Sequence, residues 1–349
     1  MVEWNKPYLG VHLIQVYIIS LKESQRRLDT EKLVLESNEK FKGRCVFQIF
    51  DAISPKHEDF EKFVQELYDA QSMLKSDWFH SDYCYQELLP QEFGCYLSHY
   101  LLWKECVKTN QPVVILEDDV ALESNFMQAL EDCLKSPFDF VRLYGHYWGG
   151  HKTNLCTLPI YTEVEEKLII QRLKRLKRLL KTMKLPPPPK YNDLTTKYES
   201  LLAKETNIKE TFWERRADSE KEAFFLEHFY LTSVYVASTA GYYLTPKGAK
   251  TFIEATERFK IIEPVDMFMN NPTYHEVANF TYLPCPVSLN KHAFNSTIQN
   301  AKKPDISLKP PRKSYFDNLF YHKFNAQKCL KAFHKYSKQY APLKTPKEV

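Results

Sequence analysis

The chain has 349 residues, of which 44% are hydrophobic and 26% are charged, and this balance is typical of a globular protein. Its eight glycines form neither a Walker-type nor a GxGxxG sequence, which argues against a glycine-rich phosphate loop. The net charge of +4 is uneven, because residues 302–349 hold twelve Lys or Arg against three Asp or Glu, an excess of +9 that leaves −5 (4 minus 9) on the rest.

The cysteines and the first residues indicate a compartment. Eight cysteines are scattered without a CxxC pair, which argues against a zinc site of the usual spacing and favours reduced thiols in the cytosol. The first residues show neither a basic leader nor a small-residue cleavage site, and no apolar run is long enough to span a bilayer. We therefore expect a cytoplasmic protein without a transmembrane helix.

The first elements predict an α/β fold. Residues 11–21 (VHLIQVYIISL) read as a buried strand, residues 23–37 as a helix, and residues 45–53 (CVFQIFDAI) as a second strand. The apolar positions of the helix are Leu28, Leu33 and Leu35. A strand, a helix and a strand in succession favour a partly parallel sheet.

A strong helix and two short strands follow. Residues 54–90 predict loops with short helices, and residues 92–110 predict a helix that ends at Asn110, before Pro112. The run VVIL (113–116) predicts a short buried strand, and residues 138–145 predict another.

Residues 161–225 predict an inserted helical hairpin. The segment 165–184 carries apolar residues at coiled-coil-like spacings of 4, 3, 4 and 3, and the prolines of LPPPPK (185–190) must end that helix. The hairpin could dock on the rest of the protein, form a homo-oligomer or lie on a membrane.

The α/β pattern resumes near the C-terminal end of the chain. Residues 233–259 predict a strand, a turn containing glycine, a second strand and a helix, with Thr245 as N-cap and Pro246 in its first position. Residues 301–349 predict a basic, aromatic and helical tail. Such a tail fits an anionic membrane surface, and the alternative is a solvated tail that aids solubility.

Three carboxylates follow the strand at 113–116. Glu117, Asp118 and Asp119 repel one another and resist burial, so a compensating partner is needed. Ligands of open α/β sheets bind beyond the carboxyl ends of the strands, where hard oxygen atoms can hold a divalent cation. The alternative is that Asp119 caps a helix at about 123–134.

Eight blocks of the sequence stand in a characteristic order. They are VYIISLKESQRR (16–27), IFDAI (49–53), EFGCYLSHYLLWKECV (92–107), VVILEDDV (113–120), FVRLYG (140–145), STAGYYLTPKGAKTFI (238–253), EPVDMFM (263–269) and NSTI (295–298). The most specific combination is GCYLSH followed by ILEDD. Together the blocks resemble glycosyltransferase family 25, which includes bacterial lipooligosaccharide galactosyltransferases and collagen galactosyltransferases.

The resemblance implies a GT-A-like, Rossmann-type mixed sheet flanked by helices, a nucleotide-sugar donor and an inverting transfer. It assigns residues 1–160 and 226–300 to the catalytic domain. The insertion at 161–225 and the tail at 301–349 lie outside what it explains.

The resemblance also implies donor-binding residues. They are Ser20, Arg27, Asp51, Glu92, Ser98, His99, Glu117, Asp118 and Gly241. Arg26 is a further candidate for donor binding, because a guanidinium group suits the nucleotide or its phosphates. The alternative for both arginines is a salt bridge on the first helix, and this alternative is favoured more for Arg26 than for Arg27. Asp51 could instead initiate a turn, and His99 could be a satisfied core histidine.

Glycines and tyrosines around these blocks have steric roles. Gly94 would permit a close backbone approach, and Gly241 would leave room for the donor sugar. Tyr242 or Tyr243 could stack on a sugar ring, and the other must face the core because strand neighbours point to opposite sides.

The metal ligands that the resemblance suggests are Asp119, Glu117 and His292, for Mn²⁺ or Mg²⁺. The general base would be Asp266, with Glu263 next. Alternatively, Asp266 caps the helix after Pro264 or binds an acceptor hydroxyl without taking its proton.

The sequence and the resemblance predict transfer of a hexose, galactose from UDP-galactose, onto a bacterial lipooligosaccharide. The enzyme would lie on the inner face of the cytoplasmic membrane through its basic tail. UDP-glucose is the alternative donor, and a carbohydrate-binding or scaffold protein without activity is the alternative class. A nucleic-acid partner is not expected, because the basic segments match no recognised module.

Overall fold

The computed structural model describes residues 13–74, 88–147, 221–233, 236–271, 274–293 and 319–346; the side chains of 146–147, 237 and 319–327 are not described. The strands are β1 (Ile14–Ser20), β2 (Cys45–Asp51), β3 (Val113–Glu117), β4 (Val120–Leu122), β5 (Phe140–Arg142), β6 (His146–Tyr147), β7 (Glu222–Phe225), β8 (Phe229–Thr232), β9 (Val236–Ala237), β10 (Gly241–Leu244), β11 (Phe280–Tyr282), β12 (Val287–Leu289) and β13 (Lys344–Thr345). The helices are α1 (Arg27–Lys40), α2 (Phe60–Leu67), α3 (Ala70–Leu74), α4 (Pro90–Thr109), α5 (Phe126–Lys135), α6 (Pro246–Phe259), α7 (Val265–Asn270) and α8 (Leu319–Gln339).

A nine-stranded mixed sheet forms the centre of the described residues, in the order β13-β7-β8-β11-β5-β10-β3-β1-β2. β1 is parallel to both β2 and β3, whereas β10 is antiparallel to its neighbours β3 and β5. The predicted α/β class and the parallel opening are confirmed. The GT-A-like assignment stays a prediction.

The sheet carries a hydrophobic core on each face. Alternate residues of one strand point to opposite faces, so Val114 and Leu116 join the core shared with α5 and α8, while Val113 and Ile115 join the core shared with α4 and α6. This double burial explains why VVIL is a continuous apolar run rather than an alternating one.

The strong helix at 92–110 is confirmed as α4. It ends at Asn110, which adopts a left-handed conformation with φ of 52°. The close approach expected at Gly94 is also present, because a Cβ there would lie 2.4 Å from the backbone oxygen of Ile53. Thr245 caps α6 as predicted, accepting a hydrogen bond from the Gly248 amide.

The face predicted for α1 is wrong. Leu28 and Leu35 are 76% and 72% exposed, and the helix buries Thr30 and Ser37 instead, with Leu33 partly packed on the core. The two pairs share a seven-residue spacing but are offset by two positions, which places them on opposite sides of a helix.

Two predicted boundaries are also wrong where the structure describes them. Residues 222–225, assigned to the insertion, form β7 and pair with β8. The C-terminal segment 319–346 is not a separate tail, because Phe333 and Tyr336 of α8 and Tyr340 just after it are buried in the core and β13 pairs with β7. The rest of the predicted hairpin (161–220) and residues 301–318 lie outside the described residues.

The described helices include none with the length and apolar run needed to cross a bilayer. The six described cysteines, at positions 45, 95, 106, 133, 285 and 329, are free thiols.

Candidate functional site

The acidic triplet lies where β1 and β3 end side by side. The two strands are parallel, and Ile19 is in register with Glu117, so Ser20 and Asp118 come together just beyond. The Ser20 hydroxyl donates to Asp118 Oδ2 at 2.8 Å. The location expected for a ligand, beyond the carboxyl ends of parallel strands, is therefore the location of all three carboxylates.

Arg26 compensates much of the negative charge of the triplet. Its Nη1 lies 2.9 Å from Asp118 Oδ1 and 3.5 Å from Asp119 Oδ2, and its Nη2 donates to the backbone oxygen of His292 at 3.1 Å. The three side chains are only 11–16% exposed, so water screens these ion pairs weakly.

The structure reverses the prediction of which arginine makes a salt bridge on the first helix. Arg27, not Arg26, makes the salt bridge along the first helix, 3.2 Å from Glu31, and it also lies 2.7 Å from Asp51. Asp51 ends β2 and also pairs with Lys22 at 3.2 Å. Arg27 and Asp51 therefore engage each other at the edge of the sheet.

Asp119 retains an unsatisfied atom. Its Oδ1 is buried and has no hydrogen-bond partner among the described residues. Burial, followed by repulsion from Glu117, raises the pKa of Asp119 to about 7. A buried carboxylate oxygen without a partner is costly, so the position favours a cation or a donor group brought by a ligand. The alternative that Asp119 caps a helix is wrong, because α5 begins at Phe126 with Asn125 at its N-cap.

Glu117 is held differently. Burial opposes its ionisation, yet its pKa is lowered, because His99, the Thr239 hydroxyl and the positive charge of Arg26 stabilise the carboxylate. Thr239 was not among the predicted site residues. Its neighbour Ser238 has a φ of 88°, in a region that L-residues rarely adopt, and the buried Arg142 donates to the Ser238 carbonyl.

A buried polar network links Glu117 to the core through His99. His99 Nδ1 lies 2.8 Å from the Tyr242 hydroxyl, which also accepts from Trp103 Nε1 at 2.9 Å. His99 Nε2 lies 3.6 Å from Glu117 Oε1 and has no closer partner among the described residues. The fully buried His99 is therefore a core residue that also faces the site, which joins the two roles weighed for it.

Asn290 fixes the loop that carries the triplet. Its backbone amide donates to the Asp119 carbonyl at 2.7 Å, and its side-chain amide donates to Val120 O at 3.0 Å. β12, which ends one residue earlier, pairs with β4 immediately after the triplet. No sequence signal pointed to Asn290, because its role depends on this long-range pairing.

Several predicted site residues are engaged elsewhere. His292 Nε2 lies 2.8 Å from Asp29, so its imidazole contacts α1 and only its carbonyl reaches Arg26. The structure therefore does not bring this imidazole to the triplet. The space beside Gly241 is filled by Leu116 and Val287, so a side chain at this position would meet the core. Tyr242 and Tyr243 are both buried, and the structure exposes neither ring for stacking on a sugar.

Ser98 and Glu92 are both engaged within the fold. The Ser98 hydroxyl is fully buried, donates to the Gly94 carbonyl at 2.9 Å and accepts from the Ile53 amide at 2.9 Å. Glu92 accepts from the Leu89 amide at 2.8 Å, which satisfies one free backbone donor at the start of α4. Gly94, Ser98 and Glu92 thus shape α4 and its contact with the loop after β2.

The two acidic residues of the EPVDMFM block differ in access. Glu263 is 1% exposed and accepts a long hydrogen bond from Asn271 at 3.4 Å, so it is enclosed rather than available to an acceptor. Asp266 is partly exposed in the first turn of α7, where Pro264 is the N-cap, and accepts from the Met267 amide at 2.9 Å. Of the two, Asp266 alone is placed to meet a substrate.

Cys95 lies on α4 next to the acidic triplet, with its sulfur within 4.8 Å of ligand atoms of His99 and Glu117. Burial raises the pKa of its thiol well above the usual value, and the next causes are the negative charges of Glu117, Asp266, Glu92 and Asp119. No role was predicted for Cys95, although the Cys-x₃-His spacing on a predicted helix was visible in the sequence.

The residues present fit a divalent cation. Asp119 and Glu117 supply the oxygen ligands that Mn²⁺ and Mg²⁺ prefer, and the partnerless Asp119 Oδ1 marks an unfilled coordination direction. Without such an ion, the single positive charge of Arg26 offsets only part of the negative charge of the triplet.

Comparisons with known proteins address the family. The model of glycosyltransferase family 25 (LPS biosynthesis protein) matches residues 13–269. Lipooligosaccharide biosynthesis protein lic2B of Haemophilus influenzae is 32% identical over 114 residues, which cover 31% of this chain and 35% of that protein.

Two animal relatives match shorter shares of their own length. Procollagen galactosyltransferase 1-B of Xenopus laevis is 31% identical over 121 residues, 34% of this chain and 18% of that protein. Probable inactive glycosyltransferase 25 family member 3 of Bos taurus is 41% identical over 68 residues, 18% of this chain and 11% of that protein. The matches with these three relatives thus cover about a third or less of each relative.

Proposed function

Because the chain belongs to glycosyltransferase family 25, we propose that it transfers a hexosyl group, galactose from UDP-galactose, onto a lipooligosaccharide acceptor. The names of two relatives support this choice, one a lipooligosaccharide biosynthesis protein and the other a procollagen galactosyltransferase. The observation that carries the proposal is the buried Asp119 Oδ1, without a partner among the described residues, beside Glu117 at the carboxyl edge of the sheet.

The triplet would serve the donor. Asp119 and Glu117 would hold Mn²⁺ or Mg²⁺, which when bound neutralises a diphosphate and helps it leave. Asp118 is already fixed by Ser20 and Arg26, so it would orient the site rather than bind the cation. The positive charge of Arg26 lies next to the same edge and would attract the anionic donor.

Asp266 would serve the acceptor. Its carboxylate would take the proton of an acceptor hydroxyl, whose oxygen forms the new bond to the anomeric carbon as the bond from that carbon to the diphosphate oxygen breaks. UDP leaves with the electron pair of that bond, and the configuration inverts. The partial exposure of Asp266 in the first turn of α7, and the effect of its negative charge on the Cys95 thiol next to the triplet, support this role.

Further expectations belong to the same proposal. The positive excess of residues 302–349 would hold the protein at an anionic membrane surface on the cytoplasmic side, although the aromatic side chains of α8 are used inside the fold. The segment 161–225 would mediate self-association, and UDP-glucose remains the alternative donor.

The test is a donor screen on the purified full chain. UDP-galactose and UDP-glucose are offered with lipooligosaccharide acceptors, with and without Mn²⁺, to the wild type, Asp119→Asn and Asp29→Asn. Asp29 is an exposed carboxylate on α1 and is the matched control. We expect Asp119→Asn to lose turnover by roughly 10²-fold or more, and Asp29→Asn to keep it.

Two results would contradict the proposal. Undiminished turnover by Asp119→Asn would remove the metal role of this residue. Sugar binding by the wild type without turnover of either donor would favour a protein that has lost transfer, a class suggested by the relative named as probably inactive.

A further inference from the structure

Cys95, His99 and Glu117 converge on one point. Cys95 and His99 are four residues apart on α4 and therefore share a face of the helix, and Glu117 ends the neighbouring strand β3. One ligand atom of each, a thiol sulfur, an imidazole nitrogen and a carboxylate oxygen, lies within 4.8 Å of the other two. Tetrahedral zinc separates its ligand atoms by roughly 3.3–3.8 Å. His99 Nε2 and Glu117 Oε1, 3.6 Å apart, already have this separation, and the Cys95 sulfur needs to approach by roughly 1 Å at most.

The imidazole of His99 points to a missing partner. The residue is fully buried, and Nε2 has no hydrogen-bond partner among the described residues. A buried polar atom in that state is costly. Its other nitrogen, Nδ1, is held at 2.8 Å by the Tyr242 hydroxyl, which Trp103 holds in turn. A histidine ligand is usually fixed in this way through the nitrogen that does not bind the metal.

The surrounding charge favours a cation. Glu117 is itself one of the three ligand residues, and it is followed directly by Asp118 and Asp119, so the three ligand atoms lie next to a negatively charged segment. The same negative field would stabilise a divalent ion. The thiol would then release its proton as the bond between sulfur and metal forms.

We propose that Cys95, His99 and Glu117 bind one thiophilic divalent cation of the Zn²⁺ class and leave its fourth coordination position open. A set of sulfur, nitrogen and oxygen ligands selects Zn²⁺ or Co²⁺ over Mn²⁺ and Mg²⁺. This proposal does not rest on the proposed sugar transfer, although Glu117 would be shared with the donor site. A bound zinc ion would therefore keep the Glu117 carboxylate turned towards α4, which carries Cys95 and His99.

A simpler explanation is that His99 donates directly to Glu117 after a small shift, because their atoms are 3.6 Å apart. That contact involves no role for Cys95. The two explanations are separated by asking whether the sulfur binds a metal.

The experiment is a Co²⁺ titration of the full chain, freed of metal, with Zn²⁺ as competitor. We expect one equivalent to bind with an intense thiolate-to-cobalt charge-transfer band that Zn²⁺ abolishes and Mn²⁺ does not. Cys95→Ser and His99→Gln should each lose the band by at least tenfold. Cys285→Ser, at another partly buried cysteine, should keep it.

A second measurement avoids any variant that fails to fold. In the wild type, stoichiometric Zn²⁺ should slow alkylation of Cys95 by iodoacetamide at least tenfold, as read by peptide mass spectrometry. The absence of a thiolate band, its survival in Cys95→Ser, or alkylation of Cys95 at an unchanged rate would each overturn the proposal. Asp119→Asn should keep the cobalt band while losing turnover, so failure of the transfer proposal is distinguishable from failure of this one.

Discussion

The end of β3 and the C-terminal helix α8 form an instructive pair. Both are rich in charge, and the sequence predicted a ligand at the first and an anionic membrane surface, or solvent, at the second. At the end of β3, the charged side chains turn inward and find partners from β1, α1, α4 and the residues before β10. Along α8, Phe333 and Tyr336 turn inward, while Lys335 and Lys338 face solvent or a surface partner.

The difference shows that, for the formation of a binding site, the position of charged side chains in the fold matters more than their number. A carboxylate at the end of a buried strand cannot reach solvent freely, so it must be compensated by named groups or by a ligand. A lysine on a helix that packs on one side reaches water without cost. The buried carboxylates at the end of β3 therefore form a candidate site, whereas the lysines of α8 form part of the solvent-exposed surface.

The largest expected effect tests whether α8 belongs to the fold. Phe333→Ala removes a buried ring from the core on this face, and we expect it to lower the free energy of unfolding by about 3–5 kcal/mol. Lys338→Ala, on the exposed side of the same helix, should change it by less than about 0.5 kcal/mol. Urea denaturation of the full chain measures both, and equal stability of the two variants would show that α8 is dispensable.

A pH dependence arises next to α8. His275 is buried beside the cavity that Phe333 and Tyr336 also line, and desolvation lowers its pKa to about 4. Its Nε2 donates to Phe268 O, and its Nδ1 accepts from the Val277 amide, so a second proton would face an N–H group. The folded protein therefore binds fewer protons than the unfolded chain.

The sign of the effect follows from this difference. Stability from neutral His275 is present above the unfolded pKa of about 6.5 and is lost as pH falls towards 4, by about 2–3 kcal/mol. Denaturation midpoints at pH 7.5 and 4.5 measure it. His275→Gln should reduce this pH difference, and the exposed His57→Gln is the control that should leave it unchanged. An unaltered difference in His275→Gln would contradict the assignment.

The third effect separates the two neighbouring arginines at the other region. Arg26→Gln leaves Asp118 and Asp119 without their cation, and we expect a loss of about 2 kcal/mol, below the full range for buried pairs because the side chains are 11–16% exposed. Arg27→Gln removes only exposed pairs and should cost less than about 1 kcal/mol.

Mn²⁺ sharpens this comparison. If the triplet holds a cation, Mn²⁺ should raise the melting temperature of Arg26→Gln by more than that of the wild type, because the ion replaces the missing guanidinium. Thermal scans with and without the ion give the answer. Equal increases in both proteins would mean that the ion binds elsewhere.

The smallest expected effect lies on the surface of α8. Lys335 Nζ lies 3.0 Å from Glu276 Oε1, but the two side chains are 49% and 84% exposed. Lys335→Ala should therefore change stability by about 0.5 kcal/mol or less, and the effect should vanish at high salt. A loss of several kcal/mol would indicate that charge, rather than aromatic packing, holds this helix in place.

Much of the fold could be predicted where local signals were strong. The apolar runs of β1 and β3, the dense helix α4 and the Thr245-Pro246 cap of α6 all formed as expected, because propensity, periodicity and capping act within a few residues. The buried face of α1 could not be predicted in this way, because Thr30 and Ser37 are neither clearly apolar nor clearly polar.

The site was predictable in part. The triplet and Asp266 were singled out from their blocks, and the two alternatives weighed for His99, a core residue or a site residue, meet in one side chain. Arg26, Thr239 and Asn290 were missed or undervalued, since each reaches the site through contacts with residues far away in the chain. The imidazole of His292 turns towards Asp29, a contact that the sequence did not predict.

The sequence by itself determined that a strand would end in three carboxylates and that something must compensate them, because like charges at the end of a buried strand cannot be left alone. Only the tertiary structure decided which groups do so. β1 and β3 lie side by side, so Ser20 and Arg26 meet Asp118, while the crossing of α4 brings Cys95 and His99 to Glu117. Those contacts depend on the packing of whole elements, which no short stretch of sequence encodes.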